Sequence, residues 1–331
     1  MKIAVFSARS YDRGFLCAAN SRAGHQLAFF EARLEVQTVP LAAGCEAVCL
    51  FVNDLADAAI LKALAAGGTR LVALRCTGFN NVDLKAAAQY GIKVVRVVAY
   101  SPHSVAEHAV ALLQAINRKI HRAYNRTRDA NFTLDGLMGF DLNGKTVAVV
   151  GTGKIGRVFA KIMLGFGCEV LGYDVFRSPE FEALGARYAA AAEIGERADI
   201  ISLHCPLTPE TRHIVNAHTL ARVKRGALLI NTSRGGLIDT EAVIEALKSG
   251  QLGGLALDVY EQEADVFYRD LSGTVVDDDL LARLLSFPNV IVTGHQAFFT
   301  REAITTICET TINSVSEFAA GQPLSNEISA P

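Results

Sequence analysis

The segment Val147-Ala148-Val149-Val150-Gly151-Thr152-Gly153-Lys154-Ile155-Gly156 restricts the possible folds of this chain more than any other. Three valines and an alanine read as a buried strand, which runs directly into G-x-G-x-x-G ahead of a helical pattern. That junction suits a dinucleotide. Gly151 would make a tight turn, Gly153 would let the backbone approach a pyrophosphate, and Gly156 would let helix pack closely on strand. The helix N-terminus adds unpaired amides and the positive end of a dipole, with Lys154 and Ile155 lining the phosphates. The motif alone is weak, but an acidic residue ends the next strand. Asp174 lies 18 positions past Gly156, near the offset of about 20 expected of a carboxylate that binds the adenosine ribose hydroxyls. Its charge disfavours a 2′-phosphate and so favours NAD over NADP, although Arg177 nearby tempers that preference.

Short apolar, β-branched runs alternate with longer segments of helical period along the whole chain, the mark of parallel βαβ units buried on both faces. Four runs precede residue 100 (3–6, 47–52, 71–76 and 93–98), and six follow it (146–150, 169–173, 200–205, 228–233, 254–259 and 290–293). Between the groups, Ser104 and Glu107 fit a capping box, and Val105, Ala109, Leu112 and Ile116 carry a helical pattern to about Arg122 before a polar stretch at 125–143. A long helix is expected over 301–318. At 331 residues two domains are the natural expectation: 1–100 together with 300–331, and 101–299, with a cleft between them.

Composition removes several alternatives. A formal charge of −2 offers no general attraction for nucleic acid or an anionic membrane. No run of 18 apolar residues occurs, and the N-terminal apolar segment is too short for a signal peptide, so a cytoplasmic location is expected. Seven cysteines (17, 45, 49, 76, 168, 205 and 308) lie mostly in apolar runs, with no CxxC pair or Cys/His cluster. They read as reduced, buried residues, with no metal site.

In an open parallel sheet, ligands bind beyond the carboxyl ends of the strands. The six later runs end at Gly151, Asp174, Cys205-Pro206, Ser233-Arg234, Asp258 and Gly294-His295. Arg234 at such a place can grip a carboxylate bidentately, or can equally form a structural salt bridge. His295 alone reads more readily as a structural histidine, and Glu263 alone as part of a solvated acidic loop.

These segments, with Asp135-Gly136-Leu137-Met138-Gly139-Phe140-Asp141-Leu142, Tyr260-Glu261-Gln262-Glu263-Ala264-Asp265 and His295-Gln296-Ala297-Phe298, resemble the D-isomer-specific 2-hydroxyacid dehydrogenases over nearly the whole chain. Within that family the similarity is strongest to the fermentative, lactate-forming branch. The resemblance implies an α/β architecture of two parallel-sheet units, a discontinuous flavodoxin-like substrate domain and a Rossmann NAD-binding domain. It implies reversible reduction of pyruvate to D-lactate by NADH, with His295 as acid/base, Glu263 as its partner and Arg234 as the carboxylate anchor. A carboxylate beside the ring would orient it and favour the imidazolium that reduction needs at its start. Thr77, Gly78, Tyr100 and Phe298, with Arg234 and His295, are implied substrate contacts. Cys205, Pro206, Thr232, Ser233, Arg234 and Asp258 are implied cofactor contacts, Asp258 at the nicotinamide carboxamide. The resemblance also implies a homodimer built largely through the nucleotide-binding domain, with a homotetramer as the alternative. The alternatives are a dehydrogenase for bulkier 2-keto acids, such as 2-ketoisocaproate or phenylpyruvate, and an NAD-sensing regulatory protein of the same fold.

Overall fold

The computed structural model describes residues 1–263 and 266–329; Ala264 and Asp265, part of the acidic segment above, lie outside them. The chain divides into two compact units, Met1–Ser101 with Phe299–Pro331, and Pro102–Phe298.

The first unit is built on five parallel strands, β1 (Lys2–Val5), β2 (Gln26–Phe29), β3 (Ala47–Leu50), β4 (Leu71–Leu74) and β5 (Lys93–Arg96), in the order β2-β1-β3-β4-β5. This is the flavodoxin-like order. Ala4, Val48, Leu50, Val72, Leu74 and Val94 meet Ile60, Leu61 and Leu64 of the Ala58–Ala66 helix in one core. The long helix Arg301–Ala319 packs against β4, β5 and the Ser10–Asn20 helix, so the chain's last helix completes its first sheet. Strand β2 was not among the runs read from sequence. Gln26, Leu27, Ala28 and Phe29 are exposed or half-buried at the sheet edge, where backbone pairing alone defines a strand and no apolar run is required.

The second unit contains β6 (Thr146–Val150), β7 (Glu169–Tyr173), β8 (Arg187–Tyr188), β9 (Ile200–Leu203), β10 (Ala227–Asn231), β11 (Leu252–Leu257) and β12 (Val290–Val292). Their order is β12-β11-β10-β9-β6-β7-β8, and every pairing is parallel. This is the doubly wound order, with its switch point between β6 and β9. Alternate strand residues feed two cores: Val147, Val149 and Ile230 meet Phe159 and Met163 on one face, while Leu203, Leu229 and Leu257 meet Val243 and Leu247 on the other. An apolar cavity of about 290 Å³ lies on the second face, bordered by Tyr173, Ile194, Leu203, Ile214 and Leu229. The two-residue edge strand β8 was also missed in the sequence, for the same reason as β2. Several apolar runs extend one or two residues past the last paired strand residue, because they continue into the loops that carry the site.

The first helix of the second unit begins at Pro102 and ends at Asn117, which corrects the expected start at a Ser104 cap and the expected end near Arg122. Proline at a first helical position has its φ already set and lacks only an amide that would be unpaired there. Ser104 and Glu107 therefore lie inside the helix. Val105, Ala109, Leu112 and Ile116 are buried, as their spacing requires. Lys119, at φ 52°, breaks the helix, and a second one, Ile120–Arg128, occupies part of the stretch expected to be turns. No helix among the described residues is long and apolar enough to cross a membrane.

One histidine at the border of the core has a consequence for stability. His204, just past β9, sits against the Phe159 ring with 4.9 Å between centroids, and its Nε2 lies 2.9 Å from Ser202 Oγ. Its Nδ1 is buried with no partner, and burial pushes the imidazole pKa down to about 3. An unfolded chain would bind a proton near pH 6.5 that the folded chain refuses, so this contribution to stability is complete above that pH. It is lost as pH falls toward 3, by up to about 1.4 kcal/mol per unit. Chemical denaturation of parent and His204→Gln across this window should show their difference shifting in favour of the variant on acidification. A difference independent of pH would contradict the assignment.

Candidate active site

Gly151, Gly153 and Gly156 each occupy the position that their separate roles require. Gly151 has φ 95°, and a side chain there would strike the backbone of His204 and Cys205. A Cβ on Gly156 would collide with the Gly151 carbonyl, so helix and strand can pack this closely only without one. A Cβ on Gly153 meets no protein atom within 4 Å. Gly153 is also the N-cap of the Lys154–Gly165 helix and supplies no side-chain cap. The helix therefore presents uncapped amides to open space, as a pyrophosphate requires. Lys154 and Ile155 form its first turn.

Asp174, half-buried after β7, accepts hydrogen bonds from the Thr152 amide (2.7 Å) and hydroxyl (3.2 Å) through Oδ2, and from the Phe176 amide (3.1 Å) through Oδ1. The glycine turn and the acidic strand end are thus tied together. Cys205 is buried and Pro206 exposed beyond β9; burial pushes the Cys205 thiol up to about 11, so it is no nucleophile. Ser233 ties the next loop to this one, its hydroxyl donating to the Cys205 carbonyl at 2.6 Å. The Thr232 hydroxyl is buried without a protein partner. Such an orphan costs free energy unless a bound polar group satisfies it. The open Gly153 cradle, the uncapped helix, Asp174 and Thr232 together fit a dinucleotide.

Arg234 follows β10 on an extended backbone, with Nη1 donating to the Ser233 carbonyl at 2.7 Å. Among the described residues it forms no salt bridge, so its guanidinium is not consumed by a structural ion pair. The following Gly235 lies directly against the backbone of Tyr260 and Glu261, which joins the arginine turn to the loop after β11. In that loop Glu263 Oε2 accepts from the Tyr260 amide at 2.9 Å. Its Oε1 lies 2.9 Å from His295 Nδ1, with the two side chains 27% and 20% exposed. Engagement of Nδ1 leaves Nε2 as the nitrogen available to a substrate. The structure thus pairs Glu263 directly with His295 and packs the Arg234 turn against the glutamate's loop.

His295 itself has φ 53°, a left-handed conformation that costs a non-glycine residue about 1–2 kcal/mol. Its own amide donates to the Thr293 carbonyl at 3.1 Å, and three further hydrogen bonds hold it. The Tyr268 hydroxyl donates to the His295 carbonyl at 3.0 Å, and the amides of Gln296 and Ala297 donate to the Asp258 carboxylate at 2.9 and 2.8 Å. Bonds to a charged acceptor contribute about 1.5–3 kcal/mol each, enough to offset the strain. Asp258 is fully buried. Burial alone would raise its pKa, but hydrogen bonds from His108, Thr293, Gln296 and Ala297 outweigh that and lower it. The carboxylate expected to face a cofactor is here bound to the backbone of the His295 loop. Phe298, half-buried, ends that loop.

Thr77, Gly78 and Tyr100 belong to the first unit. The Thr77 carbonyl accepts from Arg96 Nη1 at 2.9 Å, and Arg96 stacks on Phe79, which fixes the turn after β4. Beneath it Arg75, 2% exposed, donates to the Ser7 carbonyl at 2.9 Å and lies 3.4 Å from Asp12. Asp54 accepts from the Ser7 hydroxyl at 2.7 Å. This network of strand-end loops escaped sequence reasoning, as did His108 and Tyr268. The only signals for it were an arginine inside an apolar run and an aspartate just beyond one.

The comparisons with known proteins agree with this geometry. Residues 110–297, more than half of the chain, match the family model of the D-isomer specific 2-hydroxyacid dehydrogenase, NAD binding domain. A 2-hydroxyacid dehydrogenase homolog of Haemophilus influenzae is 50% identical over 98% of both chains. The D-lactate dehydrogenase of Escherichia coli is 48% identical over 99% of this chain and 100% of its own. The structure of the pyruvate reductase of Chlamydomonas reinhardtii is 44% identical, covers 98% of each chain and superposes with a TM-score of 0.95. With a dinucleotide cradle at one end of its strand-edge loops and a carboxylate-bound histidine at the other, the chain belongs to the D-isomer specific 2-hydroxyacid dehydrogenases, NAD-dependent oxidoreductases.

Proposed function

We propose that this protein is a D-lactate dehydrogenase, reducing pyruvate to D-lactate with NADH and able to run in reverse. The observation that carries the reading is the 2.9 Å contact between Glu263 and His295 Nδ1. It aligns the imidazole and directs Nε2 to the substrate. When bound, NADH supplies the hydride that reduces the carbonyl carbon. His295 gives its Nε2 proton to the carbonyl oxygen as negative charge develops there, and takes one from the hydroxyl in the reverse direction. Glu263 holds the ring in orientation and offsets its positive charge before transfer. Arg234 binds the substrate carboxylate in a bidentate pair and steadies charge on the neighbouring oxygen, an interaction of greatest value in the transition state. Phe298, and in the other unit Thr77, Gly78 and Tyr100, are proposed as substrate contacts on the strength of the family resemblance.

Cofactor contacts are assigned to Gly151, Gly153, Lys154, Ile155 and Gly156 at the pyrophosphate and Asp174 at the adenosine ribose, with Cys205, Pro206, Thr232, Ser233, Arg234 and Asp258 farther along. Pyruvate is favoured as substrate by the names of two similar proteins, a D-lactate dehydrogenase and a pyruvate reductase. Steady-state kinetics on pyruvate, 2-ketoisocaproate and phenylpyruvate test this. Pyruvate should have the highest kcat/KM; a higher value for either bulkier acid would overturn the substrate assignment, and NADH binding without turnover of any of them would favour a sensor.

The assembly proposed is a homodimer or homotetramer. Ile120, Tyr124, Phe132, Leu134 and Met138 expose 54%, 59%, 74%, 81% and 86% of their surface within one short stretch of the second unit. Apolar side chains so grouped mark an interaction surface, and a second copy of the chain is the occupant proposed here. In light scattering the parent should have a multiple of the monomer mass, and Leu134→Asp with Met138→Asp should reduce it. A monomeric parent would falsify this proposal.

A further inference from the structure

The segment that carries His295 is also held from a helix distant from it in sequence. His108 lies on the Pro102–Asn117 helix, its side chain 19% exposed. Its Nε2 is 3.3 Å from Asp258 Oδ1 and 3.2 Å from Thr293 Oγ1. Thr293 in turn donates to the same Asp258 oxygen at 2.5 Å. The Asp258 carboxylate thus gathers one imidazole, one hydroxyl and the two amides that immediately follow His295. Among the described residues His108 is the only basic side chain within ion-pair distance of it.

This arrangement has a physical requirement. A fully buried carboxylate is costly unless its oxygens are surrounded by donors, and removing one member of such a cluster is more damaging than never having formed it. The two amide bonds to Asp258 are also among those that hold the backbone at φ 53°, and with it the imidazole within 2.9 Å of Glu263. If Asp258 moves or turns outward, the left-handed residue relaxes and Nε2 loses its aim. Misplacement of a catalytic group by about 1 Å can cost two orders of magnitude in rate.

We propose that His108 is a positioning residue for the reaction: by completing the donor shell of Asp258 it fixes the loop that aims His295. It touches neither substrate nor cofactor in this assignment and acts through Asp258 and Thr293. The inference rests on the acid/base role proposed for His295, and it extends that site to a helix separated from His295 by most of the unit's sequence.

The test compares parent, His108→Leu and His108→Gln in two measurements. Gln is the conservative variant because its amide N–H can donate where Nε2 does; Leu keeps bulk without a donor. Amide hydrogen exchange over residues 290–298 reads the loop directly, without reference to activity. His108→Leu should exchange about tenfold faster at Gln296 and Ala297, while protection elsewhere in the sheet stays within about twofold. In steady-state kinetics the same variant should lose about tenfold or more in kcat, with KM for pyruvate and NADH within about threefold, and His108→Gln should recover most of both losses. The proposal is overturned if His108→Leu matches the parent in exchange or in kcat. It is equally overturned if the losses are no smaller in His108→Gln, or if protection falls throughout the unit, since a purely structural residue would give those results. Absence of 2-keto acid reduction by the parent would count against the role of His295, and loop exchange would still decide whether His108 holds the segment.

Discussion

All seven strands of the larger unit run in one direction, and this single constraint delivers every loop that follows a strand to the same edge of the sheet. A parallel sheet must be crossed by helices, and those helices seal both of its faces, so the strand-end edge is where polar side chains can gather over a rigid floor. Residues as distant in sequence as Gly151, Asp174, Arg234, Glu263 and His295 come to that edge for this reason. The loops are then joined laterally: Thr152 to Asp174, Cys205 to Ser233, Gly235 to Tyr260, and Glu263 to His295.

The edge contains two kinds of polar group. One kind is saturated. Asp258 has donors on both oxygens and no exposure, and it holds the backbone that follows His295. The other kind is left with capacity: the Thr232 hydroxyl without a partner, the uncapped helix behind Gly153, and His295, which Glu263 engages through Nδ1 and not through Nε2. Saturated groups hold the unsaturated ones in place, and the unsaturated ones are where ligand and proton chemistry belong. Strain follows the same division, since His295 and Tyr268 both adopt positive φ and are joined by the Tyr268 hydroxyl. Such conformations persist only where surrounding contacts over-determine them.

Much of this was legible in the sequence because the relevant signals are local. The glycine motif reflects steric limits that act within a few residues, and ten of the twelve strands among the described residues announce themselves as apolar runs bounded by turns. That Arg234, Glu263 and His295 follow strands of one sheet was legible from their place in the strand pattern, and the trio proposed to act together came from the family resemblance, since each member alone had an ordinary structural explanation. What escaped lacks a local signal. Strands β2 and β8 are short edge strands defined by pairing rather than by composition. Ser104 and Glu107 imitate a capping box inside a helix that proline had already begun. The position of Asp258 showed that a carboxylate ends β11, but not that the backbone after His295 would claim it. His108 gave no signal because its partners come from the loops after β11 and β12.

The central claim is that the imidazole of His295, aligned by Glu263, transfers the proton while other residues bind the cofactor. Fluorescence titration and single-turnover kinetics on His295→Ala separate those functions. The account predicts an NADH dissociation constant within about threefold of the parent and a loss of roughly a hundredfold or more in the rate of pyruvate reduction, the usual range for a general acid. Turnover close to that of the parent, with NADH binding intact, would contradict it.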